Sequence, residues 1–485
     1  MSAIDPFASA ASLAEAIRAR RIGCLELLDL YLKRAEAHNP ELNAIVVWQV
    51  EKARERARAA DAALAKGEIW GPLHGLPMTV KDSYNVVGLP TTFGNPALKD
   101  NIATENADVV ERLLKAGAII YGKTNIPYLL ADIQAYNDLY GTTNNPWDLT
   151  RTPGGSSGGG AAALAAGLVA LEAGSDIAGS LRYPPHHCGI YGHRPSFGVV
   201  SWRGHALPGI LNPTDISAVG PMARDAGDLA LAMNVLAGPD ALNLPAWRVE
   251  LPPPRATKLR DFRVAVWSQS PLAPVSRSMA DKLEAAVAAV GRKGAKVDGK
   301  ARPAFDSEAG HRTYLTLLRS ATAARLPEET FEAQMKIAGT IAPGDFSHKA
   351  AVARGVALRH REWLEADEAR MRMRLAWAEF FKDFDVLVAP ISPVPAIEHE
   401  HNPDWDARRI MVDGTPQPYM DQFFWAGLPA CCHLPATSAP SGFVDGLPVG
   451  LQVIGPEGGD LTTIEFARLL AQEIGGFVPP PRYSA

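Results

Sequence analysis

Cysteine is scarce in this sequence. The 485 residues include only Cys24, Cys188, Cys431 and Cys432, and the last two are adjacent in an apolar context. Four thiols are too few for the disulfide framework of a small secreted protein. We therefore expect a reducing compartment, the cytoplasm, and we interpret the adjacent pair as core residues rather than catalytic ones.

Long apolar runs and blocks of one charge are also missing. No charge-free apolar stretch of about 18 residues occurs, which predicts no membrane span. The start, Met-Ser-Ala-Ile-Asp-Pro, lacks the basic and apolar segments of a signal peptide. The net charge is −5 without a charged block, which argues against nucleic acid as the main partner.

Histidine occurs in two short clusters that could suggest a metal. His186-His187 and His399-Glu-His401 both lack a further group of Cys, His or Asp at ligand spacing. The sequence therefore predicts no metal site and no cofactor.

Helix and strand patterns alternate along much of the chain. Residues 107–116 have the pattern of a helix and 118–121 that of a strand, and the rhythm resumes at 262–267. This alternation is typical of parallel strands joined by helices. Residues 307–383 instead indicate long, charge-rich helices, and 238–262 is rich in proline, as at a boundary.

Two serine-containing turns stand out among glycines. Ser156 and Ser157 lie in one, and Ser180 lies in the other. Glycine lets the backbone approach a ligand closely. Between the turns, 161–171 is small and aliphatic, which predicts a buried helix running into a buried strand. Two polar turns held by a rigid apolar segment suit a catalytic site.

Three familiar glycine-rich motifs do not fit the first turn. Gly155-Ser-Ser-Gly-Gly159 has the form of a nucleophile elbow, but that motif needs a buried strand before it and a loop precedes it here. A dinucleotide-binding fingerprint fails for the same reason. A P-loop would end in Gly-Lys-Ser or Gly-Lys-Thr, and this turn does not end in either. From spacing alone, Ser156 or Ser157 is interpreted as a helix cap.

Ser180 and Lys81 also have two interpretations each. The N–H groups of 177–180 could converge as an oxyanion hole, or Ser180 could cap a helix. Lys81 follows a short strand at 78–80 and could be buried, although most lysines reach solvent. The residues alone leave these roles open.

With these positions in view, the chain resembles the amidase signature family. The resemblance covers nearly the whole chain and is carried by Gly71-Pro-Leu-His-Gly-Leu-Pro-Met-Thr-Val-Lys-Asp82, Gly122-Lys-Thr-Asn125, Asn144-Asn-Pro-Trp-Asp148, Pro153-Gly-Gly-Ser-Ser-Gly-Gly159, Gly174-Ser-Asp-Ile-Ala-Gly-Ser-Leu-Arg182 and, more weakly, 384–390 and 446–455. Two departures stand out: Ala178 replaces the usual glycine, and His193-Arg-Pro-Ser196 replaces the usual Leu-Lys-Pro-Thr/Ser. Neither removes a residue of the family's catalytic set.

The resemblance implies an α/β fold with a large mixed, mostly parallel central sheet covered by helices on both faces. Residues 1–485 would form a single domain. Its core would comprise 65–237, 262–300 and 384–475, with a helical cover at about 307–383.

The resemblance also implies a Ser–Ser–Lys triad. Ser180 would be the nucleophile, Lys81 the base, and Ser156, in a cis peptide, the relay between them. A lysine acts as a base only when neutral, so its pKa must fall from about 10.4 toward about 7 or 8, which burial favours. A serine hydroxyl can both donate and accept, so Ser156 can pass the proton.

Further residues follow from the same resemblance. The expected oxyanion donors are the N–H groups of Ile177, Ala178, Gly179 and Ser180, the supporting residues are Ser157, Asp176 and Arg182, and the expected pocket residues are Asn125, Tyr128 and Gly155.

The leading hypothesis is a stand-alone hydrolase of small carboxylic amides, arylamides, carbamates (urethanes) or esters, acting as a monomer or homodimer. Tyr128, Tyr136 and Trp202 favour a hydrophobic substrate, unless they are core residues. The alternative is the glutaminase subunit of a tRNA-dependent amidotransferase, which uses the same triad. A non-catalytic binding protein is disfavoured by the intact Lys81–Ser156–Ser180 set.

Overall fold

The computed structural model describes residues 4–323, 326–342, 344–345 and 347–484. Positions 324, 325, 343 and 346 of the predicted helical cover lie outside the described residues.

Several of the strands coincide with short runs rich in aliphatic and β-branched residues. In chain order they are β1 (Ile45–Trp48), β2 (Pro77–Lys81), β3 (Ile119–Thr124), β4 (Tyr136–Asn137), β5 (Gly141–Thr142), β6 (Glu172–Asp176), β7 (Tyr191–Arg194), β8 (Ala218–Ala223), β9 (Arg263–Val266), β10 (Lys296–Asp298), β11 (Val386–Pro390), β12 (Arg409–Val412), β13 (Thr415–Pro418), β14 (Ala436–Val444) and β15 (Leu447–Ile454).

Eleven of these strands form one sheet, in the order β1-β3-β2-β6-β8-β7-β14-β15-β11-β9-β10. Parallel pairs occur in two blocks, β3-β2-β6 and β11-β9-β10. Antiparallel pairs join the blocks through β8, β7, β14 and β15, and add β1 at one edge.

Helices occupy most of the intervening chain. They are α1 (Ala10–Arg18), α2 (Cys24–Leu42), α3 (Val50–Ala65), α4 (Asp108–Lys115), α5 (Gly158–Ala165), α6 (Tyr183–Cys188), α7 (Ala226–Leu236), α8 (Arg277–Arg292), α9 (Ser307–Ala323), α10 (Glu328–Ala338), α11 (His348–Val356), α12 (His360–Asp383), α13 (Gln422–Cys431) and α14 (Asp460–Ile474). Within the described ranges, no helix combines the length and the apolar character needed to cross a bilayer.

Hydrophobic cores lie on both faces of the sheet. Along β11, Val386 and Val388 belong to one core, whereas Leu387 and Ala389 belong to the other, because successive side chains of a strand point to opposite faces. Helices α2, α5, α7 and α14 contribute to the first core, and α9, α12 and α13 to the second. The fold class implied by the resemblance, a large mixed sheet covered by helices, is confirmed.

The apolar stretch between the two serine turns is buried throughout. Helix α5 ends at Ala165, the connection at 166–171 has no exposed residue, and β6 begins at Glu172. The predicted helix is therefore present, and the strand begins one residue beyond the predicted stretch. Because β6 pairs with β2, the turn after β6 lies beside the end of β2.

Candidate active site

Lys81 is the last residue of β2, and its side chain is buried among hydroxyl groups. Its Nζ donates hydrogen bonds to Ser156 Oγ at 2.7 Å, Ser157 Oγ at 2.9 Å and Ser175 Oγ at 3.0 Å. The side chain is 0% exposed. The alternative that Lys81 reaches solvent is therefore wrong.

Ser156 and Ser157 lie in the turn between a loop and α5. The Gly155–Ser156 peptide bond is cis, as the resemblance implies. Ser157 precedes α5 but makes no side-chain cap hydrogen bond; its hydroxyl contacts Lys81 instead. Ser156 Oγ donates to Ser180 Oγ at 3.0 Å, so one continuous chain of contacts joins Lys81, Ser156 and Ser180.

Ser180 lies in the turn between β6 and α6. The residue before α6 is Arg182, not Ser180, so the helix-cap interpretation of Ser180 is wrong. Gly179 has φ +107°, and a Cβ there would lie 2.3 Å from Tyr183 Cε2. The turn therefore needs glycine at this position, because other residues rarely adopt this backbone and would collide with the tyrosine ring.

Asp176 holds the turn that contains Ser180. One of its oxygens accepts the Gly179 N–H at 2.8 Å, and the other accepts the Leu181 N–H at 3.1 Å. The same carboxylate forms a bidentate pair with Arg182, Nε and Nη2 each at 2.9 Å. These contacts fix the backbone on both sides of Ser180.

The charges in this cluster are fully buried. Burial raises the pKa of the Asp176 carboxyl, but the charges of Arg182 and Arg194 outweigh it and bring the pKa to about 2. Arg194 Nη1 donates to the Asp176 carbonyl oxygen at 2.6 Å, and its Nη2 to the Ile216 carbonyl oxygen at 2.8 Å. Asp176 is therefore anionic at any ordinary pH and can hold the turn throughout that range.

The four expected oxyanion donors differ in availability. The Gly179 N–H is already donated to Asp176. In the part of the chain that the structure describes, the N–H groups of Ile177, Ala178 and Ser180 have no protein acceptor. These three N–H groups are free to bind a developing negative charge beside Ser180.

Ser175 is a site residue that the sequence analysis missed. It lies on β6 directly before Asp176, and its hydroxyl accepts a hydrogen bond from Lys81. A serine inside a strand has no distinctive pattern. The only available indication was its place between Gly174 and Asp176 in a motif of the resemblance.

The three expected pocket residues differ in exposure and in their contacts. Asn125 is 0% exposed, and its amide donates to the Gly141 carbonyl oxygen and to Thr143 Oγ1, both at 3.0 Å, so it supports a loop. Gly155 packs against the backbone of Asp132 and Gln134. Tyr128 is 43% exposed.

The other aromatic residues that suggested a hydrophobic pocket have structural contacts. Trp202 belongs to the first core. Tyr136 donates to Asp132 at 3.0 Å and stacks on His401 with ring centroids 3.7 Å apart. Neither contact points to a ligand.

In the first histidine cluster, both ring nitrogens of His186 have protein partners, whereas neither ring nitrogen of His187 has a hydrogen-bond partner among the described residues. His186 contacts the Val394 carbonyl oxygen and the Gly450 backbone through its two ring nitrogens. No group of three or more His, Cys, Asp or Glu side chains suited to a metal occurs among the described residues.

Apolar residues of the second core pack beside the turn that contains Ser180. Ala178 and Tyr183 belong to the same cluster as Ile133, Ile216 and the residues of α13. Arg182 Nη1 donates to the Ala426 carbonyl oxygen at 2.9 Å and Tyr183 Oη to the Gln422 carbonyl oxygen at 2.6 Å. These two hydrogen bonds hold α13 beside the turn that contains Ser180, and the apolar side chains of α13 form an apolar wall beside Ser180.

Comparison with known proteins gives concordant matches. Residues 26–464 match a family model described as Amidase. The chain is 32% identical to a glutamyl-tRNA(Gln) amidotransferase subunit of Anaeromyxobacter sp. (strain K), over 96% of each chain. It is 33% identical to an indoleacetamide hydrolase of Bradyrhizobium diazoefficiens, over 92% of this chain and 82% of that protein.

A solved structure matches over nearly the full length. It is a bacterial aryl acylamidase of the amidase signature enzymes, with a TM-score of 0.83 and 25% sequence identity, covering 99% of this chain and 98% of that one.

Proposed function

The chain belongs to the amidase family, the amidase signature enzymes, and from this premise we propose that it hydrolyses a carboxylic amide or carbamate through an acyl-enzyme on Ser180. The observation that carries the proposal is the chain of contacts from Lys81 Nζ to Ser156 Oγ at 2.7 Å and from Ser156 Oγ to Ser180 Oγ at 3.0 Å. Both distances allow proton transfer.

In the acylation step, Ser180 Oγ attacks the carbonyl carbon of the substrate. Its proton passes to Ser156 Oγ, and the Ser156 proton passes to a neutral Lys81 amine. Serine hydroxyls both donate and accept, so the two bonds reverse direction as the protons move. A serine becomes a useful nucleophile only when a base removes its proton in this way.

The tetrahedral intermediate carries a negative oxygen. We assign its stabilisation to the N–H groups of Ile177, Ala178 and Ser180, since the Gly179 N–H is held by Asp176. Fixed donors in a site that excludes water stabilise such an oxyanion strongly. When the C–N bond breaks, Lys81 returns a proton through Ser156 to the leaving nitrogen.

Water then completes the cycle. It attacks the acyl-enzyme ester while Lys81, neutral again, accepts its proton through the same relay. The carboxylic acid leaves, and Ser180 recovers its proton. No cofactor enters any of these steps.

An arylamide or another apolar amide is the substrate class that we favour. The apolar wall beside Ser180, formed by α13 with Ile133 and Ile216, supports this choice. The names of two relatives, an aryl acylamidase and an indoleacetamide hydrolase, point the same way. We further propose that the protein acts in the cytoplasm as a monomer or homodimer, and its four buried free thiols are consistent with a reducing compartment.

The second candidate is glutamine hydrolysis as one chain of an amidotransferase complex. It is favoured by the 32% identity to the amidotransferase protein of Anaeromyxobacter over 96% of each chain. The two candidates share the chemistry at Ser180 and differ in the substrate and in the need for partner chains.

A substrate panel separates the two candidates. Purified protein is tested on an aryl anilide, an aliphatic amide, glutamine, an aryl carbamate and a p-nitrophenyl ester. Turnover of the anilide or carbamate without glutamine supports the stand-alone hydrolase, whereas turnover of glutamine alone supports the amidotransferase candidate.

The triad is tested with Ser180→Ala and Lys81→Ala in the same assay. Ser438→Ala is the matched control, because Ser438 is buried in β14 and its Oγ has no hydrogen-bond partner among the described residues. We expect both triad variants to be inactive and the control to retain activity. Full activity in either triad variant would overturn the proposed mechanism.

A further inference from the structure

Glu172 is a carboxyl group buried in the floor of the site. It is the first residue of β6 and is 1% exposed. Its Oε1 accepts a hydrogen bond from Thr124 Oγ1 at 2.7 Å, and its Oε2 accepts one from Thr79 Oγ1. Hydroxyl groups therefore hold both of its oxygens. Burying a carboxyl group costs free energy, and these two hydrogen bonds offset part of that cost.

These two threonines are the neighbours of Lys81 in the sheet. Thr79 precedes Lys81 by two residues on β2, so the two side chains point to the same face. Thr124 is the residue of β3 that pairs with Lys81. In register, Glu172 itself pairs with Thr79. Glu172 thus lies next to the position of β2 two residues before Lys81, on the same face of the sheet.

Helix α5 covers Glu172 on the side opposite β2, so that Glu172 lies in an enclosed space between the two elements. A Cβ on Gly160 would lie 2.6 Å from Glu172 Cγ and 2.8 Å from its Oε1. Helix α5 begins directly after Ser157. Glu172 is therefore enclosed between the strand that carries Lys81 and the helix that follows the serine turn.

The charges of Glu172 and Lys81 influence each other within this enclosed space. Burial raises the pKa of Glu172 to about 8, while the hydroxyls of Thr79 and Thr124 and the charge of Lys81 act in the opposite direction. Tyr84 and Tyr121 also face this charge, but burial raises the pKa of both well above its ordinary value. They stay neutral while Glu172 titrates. Helix α5 (158–165) contains only glycine, alanine and leucine, so it adds no titratable group near Glu172.

We propose that Glu172 is a positioning residue that acts through Lys81 and sets how readily this lysine gives up its proton. This inference rests on the proposed function, because it assigns Lys81 the role of base. An ionised Glu172 favours the ammonium form of Lys81, and a neutral Glu172 favours the amine. The ion pair and the neutral pair contain the same number of protons, so the two groups titrate as one unit.

The test is the pH dependence of kcat/KM in Glu172→Gln. Glutamine keeps the shape and an acceptor oxygen but cannot ionise, so the proton lost from the pair must come from Lys81. We expect the acid limb of the profile to move to lower pH by about one unit, which corresponds to about tenfold higher activity on that limb. Thr79→Val, which removes one hydroxyl that favours the ionised carboxylate, should move the limb in the same direction by less.

Asp228→Asn is the matched control. Asp228 is another carboxyl group, 1% exposed, whose pKa burial raises to about 6, but it accepts the N–H groups of Ala10 and Ala11 at the start of α1. The acid limb of kcat/KM in Asp228→Asn should lie at the same pH as in the wild-type protein. Active-site labelling with a fluorophosphonate normalises each rate to the folded, reactive fraction, so a partly unfolded variant still gives a limb position.

The outcomes separate this inference from the proposed function. If Lys81→Ala and Ser180→Ala are inactive but neither Glu172→Gln nor Thr79→Val moves the limb, Glu172 is only structural and the inference is overturned while the triad stands. If Lys81→Ala stays active, the proposed base is wrong and the inference fails with it. If the acid limb of kcat/KM moves to lower pH in Glu172→Gln and does not move in Asp228→Asn, the inference is supported.

Discussion

Replacing Asp176 by asparagine should destabilise the protein more than the same change at a less buried ion pair. Asparagine keeps one acceptor oxygen, but its NH2 group would face two of the donors that Asp176 now accepts, from Leu181 and Arg182. Arg182 is 0% exposed and would keep its charge without a counter-ion. Removing one partner of a buried pair costs about 3 to 5 kcal/mol, and we expect that loss in the free energy of unfolding.

The loss should depend on pH with a defined sign. The pKa of Asp176 is lowered from 3.8 to about 2 in the folded protein, so its contribution is complete above the unfolded value and is lost as pH falls through the folded one. At about 1.4 kcal/mol per pKa unit, this linkage accounts for about 2 to 3 kcal/mol. The stability difference between wild type and variant should therefore be constant near neutral pH and shrink below about pH 4.

The assay is urea unfolding followed by tryptophan fluorescence, with Asp385→Asn as the control. Asp385 also forms a bidentate pair, with Arg263 Nε at 3.2 Å and Nη2 at 2.7 Å, but the side chain of Arg263 is 38% exposed. Asp385 itself is buried and also accepts the Arg263 backbone N–H at 2.8 Å, but the Arg263 guanidinium can be solvated once its partner is gone. The loss should therefore be smaller, about 1 to 2 kcal/mol. Equal losses in the two variants would refute the reasoning that burial of Arg182 makes the Asp176 pair so sensitive.

Two further changes test the geometry around Ser180. Gly179→Ala should lower the rate of fluorophosphonate labelling of Ser180 by about 100-fold, because the new methyl group would meet Tyr183 and displace the turn; unchanged labelling would mean that the turn tolerates a side chain. Ser175→Ala removes a hydroxyl that accepts from Lys81 and should lower kcat about tenfold with little change in KM, while Ser175→Thr should restore it; a rise in KM alone would indicate a role in binding instead.

The sequence predicted much of the scaffold because local patterns were strong there. The strand at 78–80 was expected, and β2 spans Pro77–Lys81. Strand β8 was not expected, since Gly220 and Pro221 normally interrupt a strand. In the structure, the ladder between β7 and β8 involves only Ala223 and Met222 of β8, so Pro221 is paired on one side only, with Ala173 of β6.

The site was predictable only in part. Spacing could not bring together Lys81, Ser156 and Ser180, because the contacts between them cross 75 and 24 residues of chain; the resemblance supplied that grouping. Ser175 and Glu172 escaped notice because a polar residue inside a short buried strand has no distinctive local pattern. Their roles depend on register between strands, which a single sequence does not specify.

The two strands that join the halves of the sheet are the last to be synthesised. Residues 436–454 form β14 and β15, which lie between β7 and β11 in the middle of the sheet. A growing chain can assemble β1–β3 and β6–β8 on one side and β9–β11 on the other, yet each block keeps an open edge until residues 436–454 leave the ribosome. Open edges invite pairing with other chains. We therefore expect nascent or truncated chains that end before residue 436 to depend on chaperones, although they already contain Lys81, Ser156 and Ser180.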